Sequence, residues 1–238
     1  MRIVGLMKTT LLDYPDKVAS TIFTGGCNFR CPYCHNGDLV LDFANMEPYS
    51  EEEIFEHLNK RKNTLNGVCI TGGEPTLQAD LPEFIKKVKD LGLLVKLDSN
   101  GTNPDMIRKL LDDKLLDYIA MDIKHCKERY NEVACMKNYN IKPIEESVNI
   151  IMNSDIDYEF RTTVTKELHD INDFAKIGEW IAGAKAYYLQ PYKESEQVIS
   201  KIFSTYSSEE FDEIITILNN YNIENVGVRA LDEYEFYI

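Results

Sequence analysis

The stretch Val18-Ala19-Ser20-Thr21-Ile22-Phe23-Thr24-Gly25-Gly26-Cys27-Asn28-Phe29-Arg30-Cys31-Pro32-Tyr33-Cys34-His35-Asn36 couples a short apolar run to a loop dense in thiols. The run is rich in β-branched and aromatic residues and reads as a strand. The loop that follows therefore sits at the C-terminal end of a strand, where α/β folds place their ligand sites. Thiols spaced by three and then two residues can converge on a metal, and Gly25 and Gly26 let the backbone turn tightly beside them. Two inorganic readings remain open on the loop alone. His35 could complete a Cys3His zinc site, although adjacent Cys34 and His35 would then have to share one ion. Alternatively, Cys27, Cys31 and Cys34 hold three irons of a four-iron cluster and leave the fourth open to a ligand.

Outward from this loop, short apolar runs alternate with amphipathic stretches. Candidate strands are Val18–Thr24, Val68–Thr71, Leu93–Asp98, Tyr118–Ile123, Asp157–Val164, Ala186–Gln190 and Glu224–Val228. Several are too apolar to keep one wet face, as expected of parallel strands covered by helices. Ser50 ahead of Glu51-Glu52-Glu53 is a helix start, as is Asn103-Pro104. Leu81, Phe84, Ile85, Val88 and Leu91 form a helical stripe that Gly92 can end, and further helices are expected from Pro143 and from Ser208. The expected fold is α/β with a parallel sheet, a partial and open TIM-like barrel, in a single domain over residues 1–238.

Composition bounds the role. The chain has 238 residues, 44% of them hydrophobic, with 26 Lys plus Arg against 40 Asp plus Glu and a net charge of −14. That acidity argues against a nucleic-acid partner, which needs clustered basic residues. No apolar run approaches the roughly 20 residues of a membrane span, and the N-terminus lacks the pattern of a secretory signal. A cytoplasmic location is expected. There, three of the six cysteines grouped in one loop read as metal chemistry rather than as a disulfide framework.

A second loop, Thr71-Gly72-Gly73-Glu74-Pro75, follows the next strand. Its glycines expose backbone groups to a ligand, and its carboxylate can meet an ammonium. With both motifs in this order, the sequence resembles the radical S-adenosylmethionine (radical SAM) superfamily. The opening Gly5-Leu6-Met7-Lys8-Thr9-Thr10-Leu11-Leu12-Asp13-Tyr14-Pro15-Asp16-Lys17 is similar to activating proteins of anaerobic ribonucleoside-triphosphate reductase, where a glycine usually stands in place of Asp16. Pyruvate formate-lyase activating enzymes are similar through Leu97-Asp98-Ser99-Asn100-Gly101 and Met121-Asp122-Ile123-Lys124.

The resemblance implies a partial (β/α)6 barrel, a [4Fe-4S] cluster on Cys27, Cys31 and Cys34, and S-adenosylmethionine on the open iron. Tyr33 would lie against the adenine, and Gly72, Gly73 and Glu74 would bind the methionine amine. Ser99 and Asn100 would line the methionyl or ribose region. Asp122 and Lys124 match the family's Asp-x-Lys, with Lys124 suited to a carboxylate. Arg161 matches an arginine that reaches cofactor or substrate. Gln190-Pro191-Tyr192 resembles the end of the activase barrel, with Lys193 where histidine is common. Asp98 and Asp122 are expected at the same mouth, close to where a ligand carboxylate would arrive, so the repulsion is offset either by Lys124 with a small cation or by water or Lys124 alone. Cys69, Cys126 and Cys135 read as bystanders, and His57 and His169 as surface residues. His125 is a candidate for a supporting role behind Lys124.

The implied activity is that of a glycyl-radical enzyme activase, with no side-chain base required. Its substrate would be a backbone glycine of a partner enzyme, and its electron donor a reduced flavodoxin or ferredoxin-type protein. The alternatives are a radical enzyme acting on a small molecule in nucleoside or cofactor biosynthesis, and a zinc or electron-transfer binding module.

Overall fold

Eight strands pair in the order in which they occur along the chain. The computed structural model describes residues 1–229. Strand β1 (Ile3–Thr10) runs antiparallel to β2 (Ala19–Thr24). Short α1 (Gly37–Leu41) and longer α2 (Glu51–Arg61) lead to β3 (Gly67–Gly72), and α3 (Leu81–Asp90) to β4 (Leu94–Ser99). Next come α4 (Pro104–Asp112), β5 (Tyr118–Asp122), α5 (Tyr130–Ala134), α6 (Lys142–Met152) and β6 (Asp157–Val164). Helix α7 (Ile171–Trp180), β7 (Tyr187–Pro191), α8 (Ser208–Leu218) and β8 (Val226–Val228) complete the order. Strands β2 to β8 are parallel throughout. Among the described residues β8 does not pair back to β1, so the barrel stays open along that side.

The six parallel strands β2 to β7 are those expected of a partial (β/α)6 barrel, with bounds shifted by a residue or two, and β8 falls within the expected Glu224–Val228. Strand β1 is a correction to an all-parallel sheet. It reaches β2 through a short connection in which Asp16 has φ +58. That left-handed conformation is easy for glycine and tolerable for aspartate. Helix α7 is also additional, and starts in a capping box made by Asp170 and Asp173. Ser50 and Asn103 cap α2 and α4 as the sequence suggests.

Register sets the mouth. Asp122 on β5 lies opposite Arg161 on β6, and Thr163 opposite Gln190 on β7. The Thr24–Gly72 pair ends the β2–β3 ladder, and two further bonds prolong it into the loops: Gly73 N–H donates to Thr24 O (2.8 Å) and Glu74 N–H to Gly26 O (2.8 Å). A Cβ on Gly73 would stand 2.0 Å from the Gly26 carbonyl oxygen. Only glycine allows this approach.

The helix-facing side of the sheet is apolar, built from residues such as Ile22, Ile70, Val95, Ile119 and Phe160. The inner side is partly ionic. Lys96 is 1% exposed and pairs with Asp98, and its ammonium also approaches the Cys69 sulfur at 3.8 Å. Deeper along β6, the buried Glu159 is held by Arg229 through two bonds (2.7 and 2.8 Å) and by the Tyr118 hydroxyl (2.8 Å). Buried charges persist when every member has a partner.

Two substitutions test these constraints. Gly73→Ala forces the second loop off the first and is expected to lower unfolding free energy by about 3 kcal/mol, read from urea midpoints. Lys96→Met leaves Asp98 dependent on Arg161 alone and is expected to cost a similar ~3 kcal/mol. Adding Asp98→Asn to it recovers part of that loss, because the uncompensated charge is removed.

Candidate active site

Loops at the C-terminal ends of β2 to β7 enclose a cleft of about 200 Å³. The residues that the sequence assigns to cluster and cofactor line it: Cys27, Cys31, Tyr33 and Cys34 from the first loop, and Gly72, Gly73 and Glu74 from the second. Ser99, Asn100, Asp122, Lys124, Arg161 and Gln190 line it from the following strands. Phe29, His35, Asn36, Val40, Thr71, Asp98 and Thr163 complete the wall.

The thiol loop begins where β2 releases the chain. Arg30 N–H donates to Ala134 O (2.9 Å) and so anchors the loop on α5, and Cys34 N–H closes a turn onto Cys31 O (3.0 Å). Burial pushes the Cys27 thiol up to about 11, helped by the nearby Glu74 charge, and Cys31 up to about 12. Lys124 opposes both rises. A metal taken up here therefore has to expel the thiol protons. An amide donor is already aimed at one of the sulfurs, Phe29 N–H at Cys27 (3.4 Å). Such donors favour the thiolate form and suit an iron–sulfur cluster.

The donor set bears on the two inorganic readings. Three thiols line one cleft, the number that a four-iron cluster with one open iron needs. A closed zinc site would need His35 as well. His35 lines the same cleft, with its ring on Tyr192 at 5.8 Å and its buried Nε2 without a partner. Burial and the Lys124 charge keep His35 below its usual range.

Glu74 is 1% exposed and is more a joint than a free ligand. Its Oε1 accepts from Thr76 N–H (3.1 Å), the Thr76 hydroxyl and the Ser99 hydroxyl (2.9 Å), and its Oε2 from Asn100 N–H (2.6 Å). Burial raises its pKa against those bonds. One acceptor direction on Oε2 remains for a donor in the cleft. Asn100 carries the link onward, donating from Nδ2 to Asn28 Oδ1 (2.9 Å) and reaching the Cys27 sulfur at 3.7 Å.

On the opposite wall, Arg161 lies between two carboxylates, 3.4 Å from Asp98 Oδ2 and 3.2 Å from Asp122 Oδ1. Lys124 donates to Asp122 Oδ2 at 2.9 Å. Burial disfavours both carboxylates, but Arg161 and Lys96 still hold Asp98 low, and Lys124 with Arg161 brings Asp122 down to about 2. The positive charge that the sequence assigned to Lys124 plus a small cation is thus already present in Lys96, Arg161 and Lys124. Lys96 was missed, although it had a signal: two residues before Asp98 on one strand, it shares that residue's face.

Two histidines depart from expectation. His169 is 1% exposed, not a surface residue. Its Nε2 lies 2.9 Å from the Lys124 carbonyl and its ring stacks on His125 (4.9 Å, 14°). His57 is half-buried against the Ser20 hydroxyl (3.0 Å). His125 lies behind Lys124, fully buried, and does not line the cleft. Tyr33 does, with His169 and Phe203 around its ring and its buried hydroxyl unpartnered. Phe203 belongs to the irregular segment between β7 and α8, which crosses the thiol loop where Ser200 N–H donates to Pro32 O (2.8 Å). Nothing in its composition foretold that path.

Comparisons with known proteins agree with this geometry. The radical SAM superfamily profile matches residues 21–181. A Methanocaldococcus jannaschii protein with the provisional name glycyl-radical enzyme activating enzyme is 32% identical over 234 residues, 96% of this chain and 95% of its own. A pyruvate formate-lyase-activating enzyme of Clostridium pasteurianum is 26% identical over 200 residues, covering 80% of this chain and 82% of that one. A 7-carboxy-7-deazaguanine synthase of Thermoplasma acidophilum is 30% identical over 138 residues, covering 58% and 62%. Among solved structures, a radical SAM methyltransferase from Sphaerobacter thermophilus superposes with a TM-score of 0.73 at 14% identity, over 91% of this chain and 67% of that one, a likeness of fold. Among the described residues no helix is long and apolar enough to cross a membrane. From the profile match and the relative that aligns almost end to end, this chain is an enzyme of the radical SAM superfamily, a family that implies a [4Fe-4S] cluster and S-adenosylmethionine.

Proposed function

We propose that this enzyme is a glycyl-radical enzyme activase. The observation that carries the reading is the alignment over 96% of this chain with a relative named for that activity, across a barrel that leaves one side open. When bound, the reduced cluster and S-adenosylmethionine together supply methionine and a 5′-deoxyadenosyl radical, which takes a hydrogen atom from a backbone glycine of the partner.

The chain's own residues bind, orient and exclude water. Cys27, Cys31 and Cys34 hold the cluster. Gly72 and Gly73 present backbone groups to the methionine ammonium, with the free acceptor direction of Glu74 behind them. Lys124 meets the carboxylate as a compact charge, while Asp122 and Arg161 fix its position. Ser99, Asn100 and Gln190 line the remaining contour, and Tyr33 packs against the adenine. No small cation enters this account, because Lys96, Arg161 and Lys124 already balance Asp98 and Asp122. The electron comes from a reduced flavodoxin or ferredoxin-type protein in the cytoplasm. The partner is of the anaerobic ribonucleotide reductase or pyruvate formate-lyase kind.

The match to a 7-carboxy-7-deazaguanine synthase favours a second reading, in which the same cofactor acts on a small molecule. Incubation of the reduced, cluster-loaded protein with S-adenosylmethionine and a glycyl-radical partner separates the two. The activase yields 5′-deoxyadenosine and a glycyl doublet in the electron spin resonance spectrum. Release of 5′-deoxyadenosine without a doublet on either kind of partner rejects it. In the same assay Lys124→Met is expected to weaken S-adenosylmethionine binding roughly tenfold or more, at unchanged iron content, measured by equilibrium dialysis.

A further inference from the structure

On the far side of Lys124 from the cleft, the turn after β5 meets the first turn of α7 in a buried polar cluster. His125 and Cys126 are fully buried and Asp173 nearly so. Adjacent residues ordinarily point apart, but this turn brings His125 Nδ1 to 3.2 Å from Cys126 Sγ. Asp173 Oδ1 lies 3.6 Å from the same sulfur, and the three ligand atoms fall within 4.8 Å of one another. These separations are those of neighbouring ligands around one small cation.

The surroundings orient each group for that task. His125 Nε2 lies 2.9 Å from the Leu168 carbonyl and 3.6 Å from Asp173 Oδ2, so its proton goes there and Nδ1 is left as the acceptor nitrogen, 3.2 Å from the sulfur. A ring N–H on a backbone carbonyl is the usual outer support of a metal-bound histidine. Asp173 Oδ2 is engaged by Arg129 (2.6 Å) and Asp170 N–H (2.8 Å), which leaves Oδ1 toward the sulfur. The Cys126 amide also approaches Nδ1 (2.8 Å), and an ion would displace that contact.

We propose that His125 Nδ1, Cys126 Sγ and Asp173 Oδ1 form a second, structural site for a zinc-type divalent cation. Thiolate, imidazole and carboxylate together select zinc over magnesium or calcium. Binding releases the Cys126 proton to solvent and joins the β5 turn, which carries Asp122 and Lys124, to α7.

The test silences the cleft thiols. A full-length chain with Cys27→Ala, Cys31→Ala and Cys34→Ala is titrated anaerobically with Co2+. The expected result is a thiolate-to-cobalt charge-transfer band saturating at one ion per chain, bleached by Zn2+ and abolished by further Cys126→Ala or Asp173→Asn. Absence of the band, or its persistence without Cys126, overturns the proposal. As a check independent of that chain's folding, the cluster-loaded wild type retains one zinc per chain after desalting, and Cys126→Ala loses it at unchanged iron. Equal zinc in the two proteins overturns the proposal as well.

Discussion

The mouth of this barrel depends on where one carboxylate finds its hydrogen bonds. Glu74 is buried, and an unpaired buried charge would be untenable. Thr76, Ser99 and Asn100 satisfy it from two consecutive loops. Asn100 in turn reaches Asn28 and the Cys27 sulfur. Three loops are thereby fixed to one another, beyond the two backbone bonds that already join the first pair. The close passage of Gly73 over Gly26 fits the same scheme, because the backbones must touch for the carboxylate to reach its partners.

A second constraint is charge neutrality in a confined space. Asp98 and Asp122 face each other across Arg161, with Lys96 beneath and Lys124 above. Each acid has two basic neighbours, and each is held ionised. Such an arrangement offers a fixed pattern of charge without reorganisation when a polar ligand enters, which is the form of electrostatic preorganisation most useful to a catalyst. Removing any one member exposes the others to the desolvation they otherwise share.

Much of this was legible because it is local. The strands β2 to β7 announced themselves by apolar runs, and the two glycine-bearing loops by spacing, so all the residues picked from them share one cleft. Long-range pairing was harder to read. Strand β1 is an edge element whose hairpin rests on Asp16 in a left-handed turn, which sequence alone marks only by comparison with glycine at that place. His169 looked like a loop residue because its burial comes from contacts with Lys124, His125 and Phe174, all distant in sequence or carried on other elements. Lys96 hid in plain sight: a lysine within an apolar strand suggests an edge, until Asp98 on the same face supplies its partner. Cys126 looked inert while its neighbours were judged along the chain, since Asp173 is 47 positions away.

The sequential order of the sheet carries a consequence in time. Each strand pairs with the one made before it, so the barrel can grow in the direction in which a ribosome delivers it. The thiols emerge early on β2, whereas Arg161 and Gln190 arrive only with β6 and β7, and the segment that crosses the thiol loop comes later still. A nascent chain therefore presents its three sulfurs in the open before the walls around them exist. The later strands then close the chamber around that loop.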